Sequence, residues 1–236
     1  MKGHDICLKV FGLSDIGRVR QNNEDAFVIA DLMQSHPIHA TSEPITLQVD
    51  SRGVLLAVSD GMGGAQAGDV ASALTLHALR SEMPAGQRGS AEAALVASVE
   101  KANEQVFQAA AASGRTGMGA TLTAIFIQGV RAYVAEVGDS RAYVLRGSRF
   151  VQLTHDQSYA QLLLDLGTLT REQLVNFQYK NIIMQAIGTH PSVVVALNRF
   201  SLRRGDRLLL CSDGLTTKVK DDEMRNLLIS TTGLGI

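Results

Sequence analysis

Short apolar runs separated by glycine or by polar clusters recur along much of the chain, and they predict β-strands. Most lie close together in sequence, which favours antiparallel pairing, because parallel strands need long crossover connections. The predicted strands are Cys7–Leu13, Ala26–Ala30, Thr46–Val49, Val54–Ser59, Thr121–Ile127, Ala132–Val137, Ala142–Leu145, Phe150–Leu153, Val193–Leu202 and Arg207–Cys211.

Helical periodicity is concentrated in one stretch between the early and the later strands. Ala65–Met83 carries apolar residues at roughly helical spacing, and Ser90–Ala112 has a stripe that would face the core. Ser90 is the expected N-cap of this second helix, and Gly114 the expected C-terminal cap. Shorter helices or helical turns are predicted at Ser158–Leu166, Arg171–Asn176, Ile182–Ile187 and Asp221–Ser230. The segregation of strands from helices indicates an α+β fold with antiparallel sheet.

Composition narrows the class of protein but not its chemistry. The chain has 236 residues, of which 45% are hydrophobic and 19% charged, so it can form a sizeable core. A net charge of −1 gives no electrostatic reason to expect nucleic acid or an anionic membrane as partner. No apolar run approaches a membrane span, and no linker divides residues 1–236 into domains. Cys7 and Cys211 lie in apolar stretches and are expected to be buried thiols of a cytoplasmic protein.

Two strands end in the same way. Val54–Ser59 leads into Asp60 and Gly61, and Leu208–Cys211 leads into Ser212, Asp213 and Gly214. Two carboxylates presented at strand ends can converge on one hard cation such as Mg²⁺ or Mn²⁺. The alternative is that each Asp-Gly pair is only a turn after a core strand.

Further polar residues stand beside predicted strands. Glu24 and Asp25 directly precede Ala26–Ala30 with no turn residue between them, which would place two more carboxylates at a sheet end. Asp139 lies between two short strands and could be a hairpin turn residue. Asp156 precedes a predicted helix and could be its cap.

Taken in order, the chain resembles the metal-dependent protein phosphatases of the protein phosphatase 2C type, in their bacterial form. Each motif is common on its own, but the order and spacing of all five match that family. The matching segments are Ser14–Asp25, Val58–Gly68, Gly117–Thr121, Val137–Tyr143 and Asp206–Leu215.

The resemblance implies a four-layer α-β-β-α sandwich of two antiparallel sheets flanked by helices. It also implies an enzyme that hydrolyses phosphoserine and phosphothreonine in proteins by metal-activated water, with two or three Mn²⁺ or Mg²⁺ ions. The expected partners are phosphorylated proteins, the products of bacterial Ser/Thr kinases, and the expected state is a cytoplasmic monomer. A catalytically weak or inactive phosphoprotein-binding module is the alternative, and a phosphoesterase acting on small molecules is a third possibility.

The resemblance also implies roles for particular residues. Asp60 would bridge two metals, and the carbonyl of Gly61 would bind one of them. Asp213 would be a further ligand and, with Asp139, would hold a third, weaker metal. Glu24 and Asp25 would contact water bound to the metals.

Arg20 matches the arginine that binds the substrate phosphate, since a guanidinium donates bidentate hydrogen bonds to phosphate oxygens. On their residue types alone, Arg20 and Glu24 could instead be solvated surface groups.

Three departures from the family pattern stand out. Met62 occupies a position where some members carry a histidine, so the proton donor to the leaving group is not identified. Asn176–Asn181 aligns with a flap over the site but lacks the family's usual residues there. The chain stops at Ile236, before the helix and Asp-containing strand with which family members continue, and we therefore expect a truncated catalytic domain.

Overall fold

The computed structural model describes residues 6–34, 36–64, 67–83, 90–115 and 117–231. Within these ranges the strands, numbered in chain order, are β1 Ile6–Val10, β2 Asp25–Asp31, β3 Ile45–Val49, β4 Val54–Met62, β5 Gly119–Ala120, β6 Leu122–Gln128, β7 Arg131–Val137, β8 Arg141–Arg146, β9 Arg149–Gln152, β10 Ala196–Ser201 and β11 Arg207–Cys211.

Two long helices lie between β4 and β5, and shorter ones follow β9 and β11. The helices in the described ranges are α1 Gly68–Glu82, α2 Ala91–Ser113, α3 Tyr159–Asp165, α4 Arg171–Leu174, α5 Asp213–Thr216 and α6 Asp221–Ser230. Of these, none is both long and apolar enough for a bilayer crossing.

The strands form one large sheet and two small ones, and all the pairs are antiparallel. The large sheet has the order β10-β7-β6-β4-β2, and β5 pairs with the end of β4. The small sheets are β1-β3 and β11-β8-β9. The predicted hairpins β6-β7 and β8-β9 are confirmed. The prediction was wrong for β7 and β8, because their short connection joins the large sheet to the small sheet β11-β8-β9.

The layers follow from the two apolar faces of the large sheet. One face packs against α1 and α2 in a core that includes Leu55, Phe126 and Leu95. The other face packs against both small sheets in a second core. Met224 of α6 packs on the outer face of β8 and β11 together with Tyr143 and Cys211. The predicted α-β-β-α sandwich is therefore confirmed.

Helix α2 illustrates how local sequence and packing agree. The predicted stripe of Leu95, Val99, Ala102 and Val106 is completely buried. The Ser90 hydroxyl accepts a hydrogen bond from the backbone of the first turn, and the C-cap Gly114 adopts a left-handed conformation with φ of 66°. Both predicted caps are confirmed. Serine is favoured where a free N–H needs an acceptor, and glycine is favoured where φ is positive.

Some predictions from sequence were wrong. Strand β4 does not stop at Ser59 but continues to Met62, because its end pairs with β5. Ile182–Ile187 is not helical; Ile183 and Ile187 instead form isolated β-bridges to Ser158 and Ala120. These pairings join segments that are distant in sequence, which local periodicity cannot report.

The two cysteines differ from each other. Cys7 is exposed on the outward face of β1, whereas Cys211 is buried as predicted, and both thiols are free. Alternation along an edge strand places every second residue in solvent even when the run is apolar.

Candidate metal centre

Asp60 lies near the end of β4, where the strand runs between two partners. The register pairs Asp60 with Asp25 on β2, so these carboxylates face each other at one end of the large sheet. On the other side, the Asp60 N–H donates to the Thr121 hydroxyl (3.0 Å), and its carbonyl accepts from the Thr121 N–H (2.8 Å). The backbone that presents this carboxylate is therefore fixed on both sides.

Gly61 is required by the close approach of β4 to the start of α1. A Cβ at this position would lie 1.9 Å from the Gly68 carbonyl oxygen, which no side chain can occupy. The Gly61 N–H donates to the carbonyl of Glu24 (3.1 Å), so β4, α1 and the entry to β2 meet here. The absence of a side chain brings the Gly61 backbone close to the site.

Asp139 and Asp213 flank two strands of the small sheet β11-β8-β9: Asp139 precedes β8, and Asp213 follows β11. Asp139 occupies the turn between β7 and β8, after Gly138, whose φ of 109° suits glycine. Asp213 follows β11 and opens the short helix α5. Both side chains are partly buried, and each raises the pKa of Asp60. We call Asp25, Asp60, Asp139 and Asp213 the carboxylate cluster.

The carboxylate cluster carries strong internal repulsion. Burial and the neighbouring charges of Asp25, Asp213 and Asp139 raise the pKa of Asp60 to about 8. Burial and the charge of Asp213 raise the pKa of Asp139 to about 6. Burial and like charges both disfavour the ionised form. The cluster therefore holds more negative charge than its surroundings compensate.

The arginine nearest to the carboxylate cluster is already committed elsewhere. Arg141, at the start of β8, binds Asp156 through its Nε and Nη2 atoms at 2.6–3.0 Å. Asp156 therefore pairs with arginine and does not cap α3; Ser158 is the cap. The sequence suggested a cap because Asp156 stands shortly before α3. Its ion pair with Arg141 was not predicted, because only the fold brings these two residues together.

Asp25 is held by a hydroxyl from the far end of the chain. The Ser212 hydroxyl donates to Asp25 Oδ2 (2.6 Å), a contact between residues 187 positions apart. The backbone N–H of Asp25 donates to the side chain of Asn23 (3.1 Å), and its carbonyl accepts from the Ser14 hydroxyl (3.1 Å). The two predicted Asp-bearing segments, residues 14–25 and 206–215, thus meet directly.

Glu24 borders this arrangement through its carbonyl, which accepts from the Gly61 N–H, whereas no contact in the described ranges joins Arg20 to it. Glu24 is partly buried and packs against Gly68, where an added Cβ would lie 2.6 Å from Glu24 Oε1. Arg20 is exposed in the loop before β2 and forms no ion pair among the described residues. Asp15 accepts from the Gly17 N–H (2.7 Å), so it closes its own turn.

Sequence reasoning missed the buried polar residues behind the carboxylates. Ser59, Thr121, Thr123 and Ser140 are all at least 98% buried and hydrogen-bonded to one another's backbone or side chain. Glu136, in the middle of the apolar strand β7, is 2% exposed and accepts from the His155 N–H (2.8 Å). These buried polar residues could have been suspected from the sequence, because each stands inside or beside an otherwise apolar strand.

The donor set fits a hard divalent cation. No three Cys, His, Asp or Glu side chains in the described ranges already surround a common point as metal ligands would. The fit rests on charge and donor type: the carboxylate cluster offers only oxygen atoms, and its raised pKa values show uncompensated repulsion that a cation would relieve. The backbone carbonyl of Gly61 would add one further oxygen.

Comparison with known families gives a match over most of the chain. The sequence profile of the family described as protein phosphatase 2C matches residues 44–232. The serine/threonine protein phosphatase PstP of Mycobacterium tuberculosis is 36% identical over 224 residues, covering 94% of this chain but only 39% of that protein. The serine/threonine phosphatase Stp of Listeria welshimeri is 33% identical, covering 94% of this chain and 83% of that protein.

Solved structures agree with these sequence relatives. A bacterial serine phosphatase superposes with a TM-score of 0.79 at 32% identity, covering 96% of this chain and 85% of that one. The catalytic domain of PstP, solved in complex with two manganese ions, superposes with a TM-score of 0.71 at 34% identity, covering 95% of this chain and 84% of that one.

Proposed function

This chain belongs to the protein phosphatase 2C family, and on that premise we propose that it is a metal-dependent phosphatase of phosphoserine and phosphothreonine in proteins. The observation that carries the proposal is the carboxylate cluster, in which burial and like charge raise the pKa of Asp60 to about 8. Its relatives in Listeria and Mycobacterium are serine/threonine phosphatases, and the PstP structure holds two manganese ions.

We assign Asp60 as the carboxylate that two Mn²⁺ or Mg²⁺ ions would share, with Gly61 offering its carbonyl. Asp213 would bind on the other side, and Asp139 with Asp213 would hold a third, weaker ion. Supporting this assignment, Asp60 interacts electrostatically with both other aspartates. The chemistry that such ions supply is activation of a water molecule and neutralisation of charge on phosphoryl oxygens.

The chain's own groups would do the remaining work. Asp25 and Glu24 would accept hydrogen bonds from water at the metals, and the Ser212 hydroxyl on Asp25 and the packing of Glu24 on Gly68 support this assignment. Arg20 would donate bidentate hydrogen bonds to the substrate phosphate. Its exposure leaves the guanidinium accessible to a large substrate.

We further propose that the chain forms one catalytic domain, acts as a monomer in the cytoplasm and reverses the action of bacterial Ser/Thr kinases. The layers share continuous apolar cores, which supports a single unit. Both described cysteines are free, which is typical of a reducing compartment.

The test is hydrolysis of a phosphothreonine peptide with Mn²⁺ and after chelation, comparing the wild type with Asp60→Asn and Asp50→Asn. Asp50 is the matched control, since it lies before the opposite end of β4 and accepts from the backbone of Arg52 and Gly53, which asparagine can also do. We expect turnover that requires Mn²⁺, is lost in Asp60→Asn and persists in Asp50→Asn.

Parallel assays separate the other interpretations. Tight binding of the phosphopeptide without release of phosphate would instead support a binding module. Faster turnover of p-nitrophenyl phosphate than of any phosphopeptide would support a small-molecule phosphoesterase.

A further inference from the structure

We infer that Thr121 and Ser140 are positioning residues. Their buried hydroxyls fix the position of Asp60 relative to Asp139. This inference rests on the proposed function, because it assigns these hydroxyls the task of fixing the spacing of two proposed metal ligands. It concerns two residues that are completely buried behind the carboxylates.

Every polar atom of Thr121 forms a hydrogen bond that holds Asp60 or its neighbour Ser59. Thr121 lies between β5 and β6 and is completely buried. Its N–H donates to the Asp60 carbonyl (2.8 Å), its hydroxyl oxygen accepts from the Asp60 N–H (3.0 Å), and its carbonyl accepts from the Ser59 hydroxyl (2.7 Å). Thr121 therefore clamps the dipeptide that presents the Asp60 carboxylate.

Ser140 makes the connection to the second carboxylate. It directly follows Asp139 and is completely buried. Its hydroxyl lies 2.7 Å from the Thr121 hydroxyl, and its carbonyl accepts from the Thr123 hydroxyl (2.6 Å). The turn that carries Asp139 is thus tied to the same residue that ties Asp60.

Packing leaves little room for this contact to adjust. A Cβ on Gly138 would lie 2.8 Å from the Thr121 methyl group, so the turn rests directly on the threonine. Two hydrogen bonds to Gln157 hold Gly138 from the other side: its N–H donates to Gln157 Oε1 (2.8 Å), and its carbonyl accepts from the Gln157 N–H (2.8 Å). The turn that carries Asp139 is therefore packed against Thr121, and the Thr121–Ser140 contact joins it directly to the residue that holds Asp60.

The cost of losing the contact follows from what it holds in place. Thr121 fixes the backbone that presents Asp60, and Ser140 belongs to the turn that carries Asp139, so breaking the contact frees the spacing of the two carboxylates. Groups that orient metal ligands from behind typically change metal affinity or activity about 10–100-fold when they are removed. We expect an effect of this size from a single hydroxyl.

The experiment measures Mn²⁺ affinity by calorimetry in the full chain for Thr121→Val, Thr121→Ser, Ser140→Ala and the Val/Ala double variant. Ser98→Ala is the matched control, because its buried hydroxyl only bonds to the Ala94 carbonyl within α2. A second readout is hydrogen exchange of the Asp60 amide in metal-free protein, which needs no catalysis.

We expect Thr121→Val to weaken Mn²⁺ binding about 10–100-fold and Thr121→Ser to stay within about threefold of wild type. Ser140→Ala should weaken it less, and the double variant should be no worse than Thr121→Val, because the two hydroxyls act as a unit. The Asp60 amide should lose protection in Thr121→Val but not in Ser98→Ala.

Unchanged Mn²⁺ affinity in Thr121→Val, or fully additive losses in the double variant, would overturn the inference. Equal loss of affinity in Ser98→Ala would also overturn it, since the effect would then follow general destabilisation. Failure of the proposed function is recognised separately: it appears as absent phosphopeptide turnover in the wild type, whereas binding and amide exchange report the coupling in either case.

Discussion

Strand β8 carries an arginine at each end, and the acids around the two ends behave in opposite ways. At the far end, Arg146 binds Asp206 through two hydrogen bonds of 2.6 and 2.8 Å. Burial would raise the pKa of Asp206, yet these bonds lower it overall. At the near end, Arg141 binds Asp156, and its charge offsets only part of the effect of burial and of Asp213, which together raise the pKa of Asp139 to about 6.

The difference separates acids that are neutralised within the fold from acids that we propose bind a metal. A buried carboxylate that has its own guanidinium is neutralised within the fold. The carboxylate cluster has no such partner among the described residues, and the pKa of Asp60 rises to about 8 for lack of one. Buried carboxylates that lack a guanidinium partner lower the free energy of unfolding as long as no cation is bound.

Among the variants that test this difference between the two ends of β8, Asp60→Asn should have the largest effect on turnover and stability. We expect Mn²⁺-dependent turnover to fall on the order of 10³-fold. The metal-free variant should nevertheless be more stable than wild type at pH 7, on the order of 3 kcal/mol, because a strained carboxylate is gone. Urea unfolding in the presence of chelator measures the second effect. A less stable metal-free variant would show that Asp60 is not strained by its neighbours.

The far end should give the opposite result. Asp206→Asn removes the charge that neutralises Arg146, so we expect the free energy of unfolding to fall by more than for a fully exposed pair, because the Asp206 side chain is only 3% exposed. Mn²⁺ affinity should be unchanged. Denaturant unfolding and calorimetry test the two parts, and a weakened Mn²⁺ affinity would contradict the separation of the two ends.

Glu136 is a buried acid outside the carboxylate cluster, and its contribution to the free energy of unfolding depends on pH. Burial raises its pKa from 4.5 to about 8, so between these values the folded chain binds a proton that the unfolded chain has released. Stability contributed by this group therefore falls as pH rises through that window, by about 1.4 kcal/mol per pH unit.

Glu136→Gln should remove this slope. Comparing the free energies of unfolding at pH 6 and pH 7 for both proteins, we expect the variant to gain about 1.4 kcal/mol relative to wild type over that interval. Parallel pH dependences in the two proteins would show that Glu136 titrates normally.

The smallest effect is expected for an exposed ion pair. Arg199 binds Glu92 at 2.8 Å, but its side chain is 72% exposed, so solvent screens the interaction. Arg199→Ala should change the free energy of unfolding by no more than about 0.5 kcal/mol. A loss as large as that of Asp206→Asn would mean that burial does not decide what these pairs contribute.

Much of the fold was predictable because its elements are locally encoded. The stripe of α2, its Ser90 and Gly114 caps, and the bounds of β11 and α6 follow from short-range periodicity and capping chemistry. The same reasoning failed at Ile182–Ile187, where residues that are far apart in sequence decide the conformation.

The sequence predicted the carboxylates of the candidate site, but not the residues that hold them in place. Asp60, Asp139 and Asp213 are marked by their positions at strand ends and turns. The roles of Ser212, Thr121 and Arg141 depend on contacts with Asp25, Asp60 and Asp156 that exist only in the folded chain. Hydroxyl groups next to strands are too common for sequence alone to select the ones that matter.

The hydrogen bond from Ser212 to Asp25 also bears on how the protein is made. Synthesis releases Asp25 and Asp60 from the ribosome long before Asp213, and 187 positions separate the two ends of this bond. Contacts of such long range form late, because their loop-closure entropy is offset only once the intervening layers are in place. A nascent chain can thus assemble the large sheet and its helices before it has a complete ion site. Tight Mn²⁺ binding would then report that folding has reached its final step.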